Sequence, residues 1–271
     1  MKKVFTLYTL GIVAVGLAIW EPNLKWLSPL VYLLVFPVCA IWLWRSEGRT
    51  LQDLGLSRSG DAWKQSLSWA IGLGLIFPVL ILLAQVLFGW VTLTPRALVY
   101  GEYPTYILVP GYIAFVLVKM FFIAAIEEFV FRGFFLQRLA LGMNMVWAVL
   151  LSSALWSIGH LASMVSEGLP LFAITLGMLT FIVWGTALSI GYLRTGKSLW
   201  FPFGLHYGLN ISFSLLGGFI LTRYQAPQWL VGTPPWMPES GVLGPLIWLL
   251  AIGVICKITS RLTLSNQVVV E

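Results

Sequence analysis

Residues 126–135 place two adjacent glutamates, Glu127 and Glu128, and an arginine, Arg132, in a run that is otherwise apolar from Gly111 apart from Lys119. Ionisable groups at such depth are costly unless they are paired or used. Glu128 and Arg132 are four apart, so on a helix they share a face and can form an ion pair that offsets the cost of burying both. Glu127 is rotated by roughly 100° from that face and points elsewhere. A carboxylate in low-dielectric surroundings suits general-base work near neutrality. The same residues would also serve as a charge cluster holding helices together, or as a loop end at the membrane surface.

Two histidines complete the inventory of residues that could do chemistry. His160 follows Trp156 by four positions, and Asn210 follows His206 by four, so each pair shares a helix face. Taken singly, each His or Asn is an ordinary hydrogen-bonding group between membrane helices. Gathered in one pocket, a carboxylate base, two imidazoles and an amide donor are the parts needed to activate water and stabilise an oxyanion.

The elements that must position these residues follow from composition. Hydrophobic residues make up 59% of the 271, charged ones only 10%, and there are 14 tryptophans; the mean hydropathy is +0.91. A water-soluble domain is excluded, and the expectation is an all-α, polytopic membrane helix bundle forming a single integral membrane domain over residues 1–271. About eight spans of ~20 residues fit the length. They fall at residues 4–20, 29–44, 65–90 with a kink at Pro78, 111–139, 144–164, 169–193, 199–221 and 242–256. Lys2 and Lys3 ahead of the first span resemble a signal peptide, but no small-residue cleavage site follows, so it reads as an uncleaved helix. The polar stretch 45–64 reads as a loop with a short amphipathic helix at the interface, 91–104 as a loop, and 266–271 as a frayed tail. Counted from the span ends, Glu127 lies ~18 Å deep, His160 ~24 Å and His206 ~12 Å. Tilt can close those differences, so a shared pocket is an open expectation.

Eight spans put both termini on one side. Placing the N-terminus inside assigns Lys2, Lys3, Arg45, Arg49, Arg58, Lys64, Arg138, Arg194, Lys197, Lys257 and Arg261 to the cytoplasmic face and only Lys25, Arg96 and Arg223 to the other. Eleven against three gives an N-in, C-in topology under the positive-inside rule. The net charge of +6 is accounted for by that bias, and no basic run offers a nucleic-acid surface. Cys39 and Cys256 lie within apolar spans without ligand-like spacing and read as packing residues.

The order Glu-Glu-x-x-x-Arg, aromatic-x-x-x-His, His-x-x-x-Asn, here Glu127, Glu128 and Arg132, Trp156 and His160, His206 and Asn210, resembles the CPBP family, also called Abi or type II CAAX prenyl endopeptidases. Phe131-Arg132-Gly133 and Ser198-Leu199-Trp200 are similar to the family's surroundings for the first and third motifs. The resemblance covers a core of about residues 65–215. One departure is Trp156 where Phe is commoner, an exchange expected to matter little. The resemblance implies a glutamate-dependent intramembrane protease acting on a membrane-embedded peptide or protein. Glu127 would deprotonate water with help from His160. His206 and Asn210 would stabilise the tetrahedral intermediate, and Glu128 and Arg132 would be a structural ion pair.

Zinc held by Glu127, His160 and His206, with water in the fourth position, has the ligand count of a catalytic site. The His-Glu-x-x-His pattern of soluble zinc proteases is absent, and a metal-free site is equally workable. The family includes enzymes that trim prenylated C-termini and bacterial members linked to bacteriocin processing and immunity; a short chain of bacterial style favours the second group and a bacterial plasma membrane. Other classes fit the same residues. A non-catalytic membrane scaffold or immunity partner would use them as helix-packing hydrogen bonds, and a proton-coupled transporter would use them as a relay. No inverted repeat or matching pair of broken helices supports transport.

Overall fold

Long apolar runs become helices because a chain in lipid must satisfy its main-chain hydrogen bonds internally. The computed structural model describes residues 36–50, 52–56, 61–95, 105–233 and 238–268. In chain order these form α1 (Phe36–Arg45), a 3₁₀ turn (Gln52–Leu54), α2 (Ala62–Leu87), β1 (Val91–Pro95), α3 (Thr105–Glu128), a π-helical segment (Phe129–Leu136), α4 (Gln137–Ala140), α5 (Met145–Ser166), α6 (Leu171–Arg194), α7 (Trp200–Phe219), β2 (Ile220–Tyr224), α8 (Gln228–Val231) and α9 (Leu243–Val268). Among the described residues five helical stretches are long and apolar enough to cross a membrane: α2, Leu108–Ala140, α5, α6 and Leu243–Ser260. Leu80, Leu83, Phe115, Phe122, Leu249 and Leu250 all point outward, an arrangement suited to lipid and not to water. The chain is an integral membrane protein built as a helix bundle.

Glycines set the closest packing. A Cβ on Gly74 of α2 would lie 2.5 Å from the Leu205 carbonyl oxygen, and one on Gly208 of α7 would lie 2.5 Å from the Ile71 carbonyl oxygen. Small residues four apart, Ala70 and Gly74 facing Gly204 and Gly208, let the two backbones touch. Ser212 Oγ donates to the Leu75 carbonyl at 2.9 Å. These pairs advance together, so α2 and α7 run in the same direction and β1 and β2, which follow them, meet at the same end. The strands pair antiparallel from Val91–Tyr224 to Pro95–Ile220.

Polar contacts tie the opposite end. Leu199 N donates to the Gly55 carbonyl at 2.9 Å, and Gln137 Nε2 donates to the Asp53 carbonyl at 3.0 Å and to Tyr192 Oη at 2.8 Å. Arg138 pairs with Glu47. Asn144 caps α5 by accepting from Trp147 N at 3.1 Å. Arg194, ending α6, donates to Thr259 Oγ1 at 2.8 Å and to the Cys256 carbonyl at 3.1 Å, which fastens α9.

Several boundaries differ from those expected. The first span lies outside the described residues, and the second is described only from Phe36. The 3₁₀ turn at Gln52–Leu54 stands where an interfacial helix was expected, and Leu54 is buried beneath the π segment. The seventh helix stops at Phe219 because its apolar run continues as β2, and α9 continues through Asn266 to Val268.

Candidate active site

α3 presents Glu127 and Glu128 on its last turn, where the helix widens into the π segment. Single-turn π-bulges are the usual form and often mark functional sites; eight residues here is long. Both carboxylates are buried, 5% and 1% exposed, and so is Arg132 at 1%. Arg132 Nη1 donates to Glu128 Oε1 at 2.9 Å, and Nη2 donates to the Gly185 carbonyl at 3.1 Å. The guanidinium also lies 4.9 Å from the centroid of the Trp156 ring. The pair therefore locks the end of α3 to α6 as well as neutralising charge.

α7 delivers His206 onto this cluster. Its Nδ1 lies 2.7 Å from Glu128 Oε1, the oxygen that also accepts from Arg132. A carboxylate so paired accepts, so Nδ1 carries a proton. Nε2 is turned towards Glu127, 3.8 Å from Oε2, beyond direct hydrogen-bond distance. His206 thus sits between the two glutamates, bonded to one and facing the other.

α5 supplies the remaining wall. Trp156 Nε1 donates to Glu127 Oε2 at 2.6 Å. The exchange of Phe for Trp was expected to matter little; instead the indole provides a hydrogen bond to Glu127 that a phenyl ring cannot make. One turn on, His160 Nδ1 lies 3.1 Å from the Trp156 carbonyl, which only accepts, so the neutral ring carries its lone pair on Nε2. The imidazole stacks on Phe181 of α6 with centroids 4.1 Å apart.

Glu127, His160, His206 and Asn210 all line one cavity of about 420 Å³. The unequal depths counted along separate spans do not keep them apart. Three further residues on the same cavity were not singled out from sequence: Trp184, Gln85 and Glu239. Gln85 interrupts an apolar run, and Glu239 is the sole acidic residue between Glu167 and Glu271; both signals were readable. Glu239 lies ahead of α9, and its loss of hydration pushes the carboxyl up to about 7.

Zinc held by Glu127, His160 and His206 would need three convergent ligands. Each histidine directs Nδ1 at a protein acceptor, the arrangement that leaves Nε2 to a metal. Yet among the described residues no three His, Cys, Asp or Glu side chains converge as a metal-ligating group.

Residues 109–212 match the family model for type II CAAX prenyl endopeptidase Rce1-like proteins, a protease family. The match covers under half of the chain and contains every motif residue from Glu127 to Asn210. No curated protein and no solved structure matches the chain.

Proposed function

We propose that this protein is an intramembrane endopeptidase that hydrolyses a peptide bond near the C-terminus or membrane segment of a membrane-associated substrate, with water activated by Glu127. The observation that carries the reading is the position of Glu127: buried in the bundle, fixed by Trp156, and on one cavity with two imidazoles and an amide. Glu127 takes a proton from water as its oxygen bonds to the scissile carbonyl carbon. His160, with its lone pair on Nε2, orients that water. Asn210 donates to the oxyanion that forms, on the wall it shares with His206. The carbon–nitrogen bond then breaks, and Glu127 returns its proton to the leaving amine. Glu128 and Arg132 hold His206 and the end of α3 in place. The end carrying Arg45, Arg49, Lys64, Arg138, Arg194 and Lys197 would face the cytoplasm.

No step in this scheme needs a metal. Purified protein reconstituted with extracted membrane peptides in ¹⁸O-labelled water, with chelator present, should form new C-termini carrying the label. Restoration of a chelator-silenced reaction by zinc alone would rule out the metal-free scheme. Absence of labelled termini under every condition would favour the scaffold reading, in which the Glu128–His206 and Arg132–Gly185 bonds serve only packing.

A further inference from the structure

The catalytic cavity has an electrostatic sign of its own. Two carboxylates line it, Glu127 deep in the bundle and Glu239 in the loop ahead of α9, and among the described residues no lysine or arginine does. Arg132, the nearest guanidinium to the motif, is committed to Glu128 and the Gly185 carbonyl.

Glu239 is held there by a built turn. Its carbonyl accepts from Thr180 Oγ1 at 2.7 Å, and Gly241 N closes the turn on the Pro238 carbonyl at 3.0 Å. Ser240 is fully buried, and its Oγ accepts from Thr233 N at 2.6 Å. The backbone is therefore fixed where Glu239 lines the cavity. Thr180 precedes Phe181, the ring that stacks on His160, so the turn abuts the wall of the reaction centre. Among the described residues no ion pair reaches the Glu239 carboxylate. A carboxylate in a shielded site without a counter-ion is an unfavourable arrangement that a ligand cation would relieve.

A second, independent observation points to a bound peptide. Gln85 lines the same cavity, is 4% exposed, and its Nε2 has no hydrogen-bond partner among the described residues. Buried amide donors are nearly always satisfied in native proteins. A small reorientation of this amide towards the carbonyl of a bound main chain would satisfy it.

We propose that Glu239 is a specificity-determining residue: the cavity takes a peptide that places a lysine or arginine side chain against Glu239, within about three residues of the scissile bond at ~3.3 Å per extended residue, while Gln85 binds a main-chain carbonyl. The inference deepens the peptidase reading and rests on its use of this cavity.

The test uses the full chain in lipid nanodiscs, carrying Glu127→Gln so that binding is separated from turnover. The probes are short fluorescent Ala/Leu peptides, blocked at both ends, that differ only in one central Lys, Gln or Glu. The Lys peptide should bind about tenfold more tightly than the Glu peptide, with Gln between. Adding Glu239→Gln should flatten that order, and Glu239→Lys should invert it; Asp61→Asn, exposed at the opposite end of α2 from Gln85, should leave it unchanged. An order that survives Glu239→Gln, or failure of all three peptides to bind, overturns the proposal. The two readings fail separately. If wild type does not cut a peptide that binds with this order, the hydrolytic scheme fails and the subsite stands; cutting that ignores position 239 does the reverse.

Discussion

An indole at position 156 decides where the Glu127 carboxylate points. Its N–H donates to Oε2 at 2.6 Å, and hydrogen bonds to charged groups contribute about 1.5–3 kcal/mol. Trp156→Phe keeps an aromatic ring but removes the donor, so turnover should fall by roughly 10–100-fold with substrate affinity little changed. Unaltered kcat in that variant would show that Glu127 is positioned by other means. The motif residues were readable because their four-residue spacings put Glu128 with Arg132 and Trp156 with His160 on common faces. What spacing could not give was the indole bond, since it joins α3 to α5, or the place of His206 between the two glutamates, bonded to Glu128 and facing Glu127. Glu239 supplies a test by pH. Its folded carboxyl, pushed up to about 7 by loss of hydration, holds its proton more tightly than the ordinary glutamate value of 4.5, so the folded state binds more protons between those values and stability falls as pH rises through that window. Melting of the wild type should therefore worsen from pH 4.5 to 7 relative to Glu239→Gln; parallel pH profiles would contradict the assignment.

At the scale of elements, α2 and α7 make the frame. Backbone contact through Gly74 and Gly208 fixes the height and rotation of His206 and Asn210, which flank Gly208 on α7. Gly208→Ala would press a methyl group onto the Ile71 carbonyl, and such overpacking costs about 1–3 kcal/mol. We expect a lower melting temperature together with lost turnover, whereas Gly72→Ala, where nothing lies within 4 Å, should be neutral or stabilising. Equal behaviour of the two variants would remove the role given to this seam. The apolar runs that became α2, α5 and α6 were legible to within a few residues because length and hydropathy alone define them. The π segment was not, since no local residue pattern demands one; Arg132 lies within it, bonded to both Glu128 and Gly185. Nor was the sheet, because Ile220 and Leu221 continue the apolar run of α7, and only pairing with Val91–Pro95 makes them a strand.

Across the whole molecule, function depends on bringing five elements to one cavity: α2 with Gln85, α3 with Glu127, α5 with His160, α6 with Trp184 and α7 with His206 and Asn210. Composition announced a membrane bundle, and motif order pointed to a protease family before any geometry was in hand. Convergence of the motifs could not be read, because depth along each span is uncertain by more than a side chain's length until the helices are packed. The most direct measurement of the central claim compares the membrane peptides of cells lacking this protein after complementation with wild type or with Glu127→Gln. The account predicts that a defined peptide or protein tail is shortened only by wild type, while the variant accumulates to the same level as a folded membrane protein. If both versions restore the same phenotype and no peptide changes length, Glu127 is a packing residue and the protein is not acting as a protease.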